Sequence, residues 1–184
     1  MLWLFLDRET DVLSAPHRVL HFAPESGIAD HLAQLSNLDY VSGDLNPARA
    51  MEVMDITAIP RPEGSFDVPD DRTALNEMLR VLRPGGTAYM QHPVDPDRAT
   101  TYEDPSITAP KDRLRAFDQD DHVRVYGTDF KERVAAAGFD IEVRCYDSEL
   151  SPAERARFAL AVDPGLQRAG DIYVCRKPAA RAAT

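Results

Sequence analysis

Two acidic residues occupy positions where a chain of alternating strands and helices can bind a nucleoside. Glu25 lies in the turn HFAPESG, and Asp44 follows it by 19 residues (44 − 25), at the end of the segment LDYVSGD. An acid at the end of the second strand of such a unit can accept hydrogen bonds from both hydroxyls of an adenosine ribose. The alternative for Asp44 is a turn aspartate that caps the following DLNP.

Glu25 restricts the kind of ligand that this turn can accept. Ala23, Ser26 and Gly27 are small enough for a ligand to approach the backbone, but the three-glycine pattern of dinucleotide-binding turns is absent. A carboxylate repels a pyrophosphate and attracts a ligand that carries an ammonium or sulfonium centre. The alternative is a solvated acid that interacts favourably with the positive end of a helix dipole.

A second pair of candidate residues, Asp55 and Ile56, follows the segment MEVM. At the end of a third strand, Asp55 could bind an adenine amino group while Ile56 covers the ring. A turn in which Asp55 caps Thr57 is the alternative. The predicted cofactor-binding residues are Ala23, Glu25, Gly27, Asp44, Leu45, Asp55 and Ile56.

Short apolar segments predict the strands that bring these residues together. The predicted strands are VLHFA (19–23), LDYVSGD (38–44), MEVMDI (51–56), TAYMQHPV (87–94), DIEVRCY (140–146) and DIYVC (171–175), with a further strand at 66–68 that Pro69 cuts short. Helices between the strands favour a mostly parallel sheet, whose strand ends form the ligand-binding edge of open α/β folds. The last two strands are expected to pair antiparallel.

Capping residues and apolar periodicity predict the helices. The first predicted helix covers residues 2–14, and the second begins at Gly27 with Ile28, Leu32 and Leu35 on one face. The third begins at 69–71 and buries Leu75, Met78, Leu79 and Leu82. Further helices are predicted at 111–117, from Thr128 or Asp129 to Ala137, and after the capping box at 151–154. Residues 95–125 are long for a connection and predict a lid or acceptor-side insertion. Residues 1–178 are expected to form one domain, followed by a disordered tail at 179–184.

Several segments together resemble a bacterial family of class I S-adenosylmethionine-dependent methyltransferases, related to the type 11 group. They are VLHFAPESG, YVSGDLNP, MDITAIP, SFDV, PDDRTALNEMLRVLRPGGTAYM and TYEDPSITAPKDRLRAFDQDDHVRVYG. The resemblance covers nearly the whole chain, and its most diagnostic piece is RVLRPGG. It implies a Rossmann-like class I methyltransferase sandwich with S-adenosylmethionine as the cofactor. It also implies that Glu25 and Gly27 belong to the cofactor turn, Asp44 to the ribose contact, and Asp55 with Ile56 to the adenine pocket.

The chain departs from the family pattern at two places. The family commonly begins with a cysteine-rich, zinc-ribbon-like segment, whereas this sequence begins inside the helix that follows it. At the junction of Val68 and Pro69, the central fourth strand is shortened or missing, which predicts a gap between the first strand and TAYMQHPV. Two hypotheses follow: methyl transfer to a small-molecule acceptor, or a catalytically inactive binding protein derived from the same fold.

Methyl transfer requires an acceptor aimed in line at the methyl group and often a base that takes the acceptor's proton. His122 and His92 are the catalytic candidates because histidine titrates near neutrality. A structural hydrogen-bonding role is the favoured alternative for both histidines. Residues 102–104 are expected to line the acceptor side, and His21 is expected to be packed.

Composition restricts the partners of the chain. With 31 acidic and 21 basic side chains, the formal charge is −10, which disfavours nucleic acid and anionic membranes and favours a small molecule. Cys145 and Cys175 are far apart, so neither a disulfide framework nor a metal site is predicted. The opening MLWLFL is too short for a membrane span and lacks a basic leader, which points to the cytoplasm. A homodimer covering the edge of a shortened sheet stays open.

Overall fold

A computed structural model describes residues 1–62, 72–120, 122–158, 160 and 171–179. The strands are β1 (His17–Phe22), β2 (Leu38–Asp44), β3 (Glu52–Val53), β4 (Thr87–Met90), β5 (Tyr102–Glu103), β6 (Arg124–Val125), β7 (Asp140–Arg144) and β8 (Ile172–Arg176). The helices are α1 (Leu2–Glu9), α2 (Ser26–Leu32), α3 (Arg72–Val81), α4 (Pro110–Phe117), α5 (Phe130–Ala136), α6 (Tyr146–Glu149) and α7 (Pro152–Arg157). None of the helices described is long and apolar enough to cross a membrane.

The strands form two three-stranded sheets and a two-stranded antiparallel sheet of β5 and β6. In the first sheet β1, β2 and β3 are parallel, and in the second β8 lies between β4 and β7 and is antiparallel to both. β4 and β7 therefore run in the same direction, and β8 alone is reversed, as predicted for the final strand. Among the described residues β1 and β4 do not pair. Residues 63–71, which include the shortened strand and the predicted helix start, lie outside the described part of the chain.

Helix α3 connects the two sheets. Leu75 and Met78 of α3 belong to a core cluster that contains residues of β4, α5 and β8. Val81 belongs to a different cluster, with Leu20 of β1 and residues after β3. Glu77 accepts a hydrogen bond from the Ile59 amide at 3.0 Å. α3 therefore contacts the first sheet and the segment after it in two ways, through the apolar side chain of Val81 and through the carboxylate of Glu77.

Helix α1 covers the second sheet from the opposite side and is shorter than predicted. Phe5 and Leu6 pack against Ile172 and Val174 in a second core cluster. The predicted helix 2–14 ends at Glu9, because Thr10 adopts an extended backbone (φ −138°, ψ 168°) and its hydroxyl donates to the Leu6 carbonyl at 2.6 Å. A short polar side chain that bonds to the backbone competes with helix continuation.

Three of the six predicted strands that lie in the described residues are shorter than predicted, whereas β2 is observed with the predicted bounds. β4 stops at Met90 instead of residue 94, and β7 stops at Arg144 instead of residue 146, because their common partner β8 begins only at Ile172. β3 contains two residues instead of the predicted six, since its partner β2 ends at Asp44. Helix α2 ends before Leu35, which lies in the loop.

The predicted lid contains β5, β6 and the predicted short helix, which is α4. This segment is hydrogen-bonded to the start of α5, where one carboxylate oxygen of Asp129 accepts hydrogen bonds from both the amide and the hydroxyl of Thr101 at 2.7 Å. At residues 151–154 the predicted capping box is confirmed, with Ser151 and Glu154 bonding to each other's backbone amides.

Gly127 packs closely against the backbone of Arg98 and Thr100, and its replacement gives a first prediction. A Cβ at Gly127 would lie 2.7 Å from the carbonyl oxygen of Arg98 and from the carbonyl carbon of Thr100. Because backbone cannot move aside cheaply, we expect Gly127→Ala to lower the free energy of unfolding by about 1–3 kcal/mol in urea denaturation. Gly27→Ala is the matched control, because a Cβ there meets no atom within 4 Å. Equal stability of Gly127→Ala and the unmodified chain would contradict the packing argument.

Candidate functional site

The ends of β1, β2 and β3 lie side by side at one edge of the first sheet. The parallel register pairs Phe22 with Gly43 and Asp44 with Val53. Beyond the strands, the Ala23 amide donates to the Gly43 carbonyl at 3.0 Å, and the Met54 amide donates to the Asp44 carbonyl at 3.0 Å. The predicted residues from three separate segments therefore lie at or shortly after these neighbouring strand ends, and we call this set the acidic edge: Ala23, Glu25, Gly27, Asp44, Leu45, Asp55 and Ile56.

The turn after β1 directs the chain away from the sheet and into α2. Ala23 has a positive φ of 45°, a conformation that costs about 1–2 kcal/mol for a residue with a Cβ. Glu25 then occupies the N-cap position, where its carbonyl accepts from the Ile28 and Ala29 amides and its side chain makes no capping bond. The Glu25 carboxylate is thus exposed beside the ends of the strands. This placement is compatible with both interpretations of Glu25, as a cation ligand and as a solvated acid.

Of the two glycines Gly27 and Gly43, only Gly43 lies where a side chain would collide with its neighbours. A Cβ on Gly27 would touch nothing, whereas one on Gly43 would lie 3.0 Å from the Met54 Cβ and 3.1 Å from the Phe22 ring. Gly43 therefore lets Phe22 and Met54 pack beside the end of β2. Sequence reasoning missed it, although its position directly before the candidate acid Asp44 was a usable signal.

Asp44 carries out the turn-capping role that was its alternative interpretation. Its Oδ1 accepts from the Asn46 amide at 2.7 Å. Among the described residues its Oδ2 makes no hydrogen bond, so one carboxylate oxygen stays available to a ligand hydroxyl. Leu45 beside it is 71% exposed, which is unusual for a leucine and leaves an apolar surface next to the carboxylate.

Asp55 and Ile56 also take part in local structure. The Asp55 Oδ1 accepts from the Thr57 amide at 2.8 Å and from the Thr57 hydroxyl at 2.7 Å. The bonds from this hydroxyl and amide hold the pKa of Asp55 below its usual range. Ile56 is half-buried and packs against the cluster that contains Met90 and Val94, so the acidic edge adjoins the core beneath β4.

His92 lies in an aromatic cluster just after β4. Its ring stacks on Tyr173 with centroids 5.3 Å apart and planes within 7°, and it meets Phe130 edge-on at 3.9 Å. Its Nδ1 lies 3.2 Å from the Pro93 carbonyl. This environment matches the structural alternative for His92. His122 is half-buried between α4 and β6, and no described contact joins it to His92 or to the acidic edge.

The other titratable candidates lie in residues 95–125 and in β1, where they pair with neighbouring side chains. Glu103 pairs with Arg133 and lies 3.8 Å from Arg124, and hydrogen bonds from Ser106 lower the pKa of Asp104. The Nδ1 of His21 lies 3.0 Å from the Tyr40 hydroxyl, and burial lowers the pKa of His21. The described residues contain no group of three His, Cys, Asp or Glu side chains that could hold a metal ion.

Comparison with known proteins relates the chain to solved structures. Neither a family model nor a curated protein matches the sequence. An S-adenosylmethionine-dependent methyltransferase from Mesorhizobium loti has a TM-score of 0.63 at 18% identity, covering 95% of this chain and 96% of that chain. The [4+2]-cyclase SpnF has a TM-score of 0.62 at 18% identity, covering 96% and 80%.

A further structure contains the methyl donor itself. Phosphoethanolamine N-methyltransferase 2 of Haemonchus contortus, in complex with S-adenosyl-L-methionine, has a TM-score of 0.54 at 16% identity, covering 89% of this chain and 49% of that chain. At such low identities these likenesses establish the architecture alone. Together with the order and direction of the strands, they show that the chain has the fold of class I S-adenosylmethionine-dependent methyltransferases.

Proposed function

We propose that the protein binds S-adenosylmethionine at the acidic edge and transfers its methyl group to a small-molecule acceptor. One observation supports the proposal: β1, β2 and β3 are parallel neighbours, and Ala23, Asp44 and Asp55 lie at or just beyond the carboxyl ends of these strands. In open α/β sheets, ligands bind outside the carboxyl ends of the strands.

The residues at this edge suit the adenosine half of the ligand. In our proposal Asp44 accepts a ribose hydroxyl with Oδ2 while Oδ1 continues to cap Asn46. Leu45 supplies an exposed apolar surface for the adenine ring, and Asp55 accepts from the adenine amino group. The hydrogen bonds from Thr57 that keep the Asp55 carboxylate charged also fix its orientation.

The acidic edge also suits the charge of the methionine half. S-adenosylmethionine supplies an electrophilic methyl group on a sulfonium centre. Glu25, exposed beside the strand ends, attracts this cation and the neighbouring ammonium group. His122 and His92 stay the candidates for the base that accepts the acceptor's proton. On the grounds given by the sequence, the proposal also includes a small acceptor molecule and a cytoplasmic location.

Calorimetry on the intact chain tests the proposal. We expect S-adenosylmethionine and S-adenosylhomocysteine to bind and NAD to give no heat, because Glu25 repels a pyrophosphate. Glu25→Gln should weaken the sulfonium ligand more than S-adenosylhomocysteine, which lacks the positive sulfur. If the chain is folded by circular dichroism and neither adenosyl ligand binds at millimolar concentration, the proposal fails.

A second candidate is a binding protein or a catalyst of another reaction on the same fold. The observation that favours it is the likeness to a protein described as a [4+2]-cyclase, which covers 96% of this chain. Cofactor binding without release of S-adenosylhomocysteine across a panel of oxygen, nitrogen and carbon acceptors would favour this second candidate.

A further inference from the structure

A cavity lies between α1, α2, β1 and β4, and its lining includes Ile28, the residue after Gly27 of the acidic edge. It has a volume of 260 Å³, and neither Asp44, Leu45, Asp55 nor Ile56 is among its lining residues. Part of its wall is aliphatic, formed by Leu2, Leu6, Val19, Leu20, Ile28 and Leu32, and polar residues, His21 and Thr87 among them, line the rest. Protein interiors are normally packed without spaces of this size, so the cavity is a site where an apolar molecule can be buried.

The cavity has a polar mouth near the start of β1. A second depression shares His17 and Arg83 with the cavity and is also lined by Arg18. Both arginines have other contacts in the protein, but a guanidinium has five N–H donors and can serve more than one partner. Two guanidinium groups at one opening are notable in a chain whose formal charge is −10.

Two carboxylates also belong to this mouth. The Oδ1 of Asp11 lies 3.0 Å from the His17 Nε2, so this carboxylate is already partnered by an imidazole. Asp39 lines the outer depression. A guanidinium group is a planar donor that matches a carboxylate, so an anionic head group at this mouth can gain charge-assisted hydrogen bonds that the two carboxylates cannot supply.

We propose that this cavity binds an elongated amphipathic carboxylate, with its apolar chain between α1, α2 and β1 and its head group at Arg18 and Arg83. The size of the chain follows from the volume. A cavity of about 150 Å³ holds benzene, so by proportion 260 Å³ holds about ten non-hydrogen atoms. A saturated carboxylate with a chain of about ten carbons is the best fit by volume.

Calorimetry with a series of carboxylates tests the proposal on the full chain. We expect the affinity to rise about threefold to fourfold for each methylene from hexanoate to decanoate, because each methylene leaves water, and to level off beyond decanoate when the cavity is full. Decyltrimethylammonium, with a cationic head, should bind at least tenfold more weakly than decanoate. Affinities that do not depend on chain length, or equal binding of the two head groups, would overturn the proposal.

Variants on each part of the site separate it from nonspecific binding. Ile28→Trp fills the cavity and should abolish decanoate binding, and Arg83→Gln should weaken it at least fivefold. Leu114→Trp and Arg115→Gln on α4 are the matched controls, since both residues are exposed and neither lines the cavity. Because Ile28→Trp could impair folding, Arg83→Gln at an exposed position provides the independent test.

Decanoate binding by these four variants either supports the cavity as the binding site or excludes it. Loss of binding in the two cavity variants with retention in both controls supports the site. Unchanged binding in Arg83→Gln, or equal loss in Leu114→Trp, places decanoate elsewhere on the surface and overturns the proposal. Asp44→Ala, which removes a residue of the acidic edge, should leave decanoate affinity unchanged.

Discussion

Replacing Asp44 with alanine is expected to weaken S-adenosylmethionine binding by about tenfold to a hundredfold, because a hydrogen bond to a charged group is worth about 1.5–3 kcal/mol. The effect arises from the Oδ2 atom, which is available to a ribose hydroxyl while Oδ1 bonds to the Asn46 amide. Isothermal titration calorimetry of the variant and the unmodified chain, at the same ionic strength, measures the difference directly.

Alanine at this position also removes the turn cap, so a second variant is required. Asp44→Asn can keep the bond to the Asn46 amide through its carbonyl oxygen but lacks the charge and the second acceptor. We therefore expect Asp44→Asn to show most of the loss in affinity with little loss of stability. Asp97→Ala, at an exposed loop position, is the matched control and should bind normally. Wild-type affinity in both Asp44 variants would remove the ribose assignment.

Truncation of Leu75 is the prediction with the largest effect on stability. Leu75 is fully buried in α3 within the cluster formed with β4, α5 and β8. We expect Leu75→Ala to lower the free energy of unfolding by about 2–5 kcal/mol, the usual cost of a leucine-sized cavity in a packed core. Chemical denaturation monitored by circular dichroism measures it.

The position of α3 predicts which strands lose protection from hydrogen exchange when Leu75 is truncated. Since Val81 and Glu77 connect the same helix to the first sheet, hydrogen exchange should accelerate in β1 and β2 as well as in β4 and β8. Asn76→Ala, at the exposed neighbouring residue, should change stability by less than about 0.5 kcal/mol. Faster exchange confined to β4 and β8 would contradict the role of α3 as the connection between the sheets.

Local patterns in the sequence determined most elements of this protein, although β5, β6 and α6 were not predicted. The strand segments and the box at Ser151 and Glu154 depend on neighbouring residues, so periodicity and capping rules predicted them. Asp44 and Asp55 could be placed at strand ends for the same reason. Both also make the turn contacts named as alternatives, since Asn46 and Thr57 are only two residues away.

Contacts between distant segments were decided only by the tertiary structure. The ends of β4 and β7 depend on where β8 begins, the need for glycine at position 127 depends on Arg98 and Thr100, and the surroundings of His92 depend on rings from α5 and β8. The cavity between α1 and β1 likewise arises from how whole elements pack. Periodicity indicates which face of an element is apolar. It does not indicate which element packs against that face or how closely, because the packing depends on the shapes of side chains far away in the sequence.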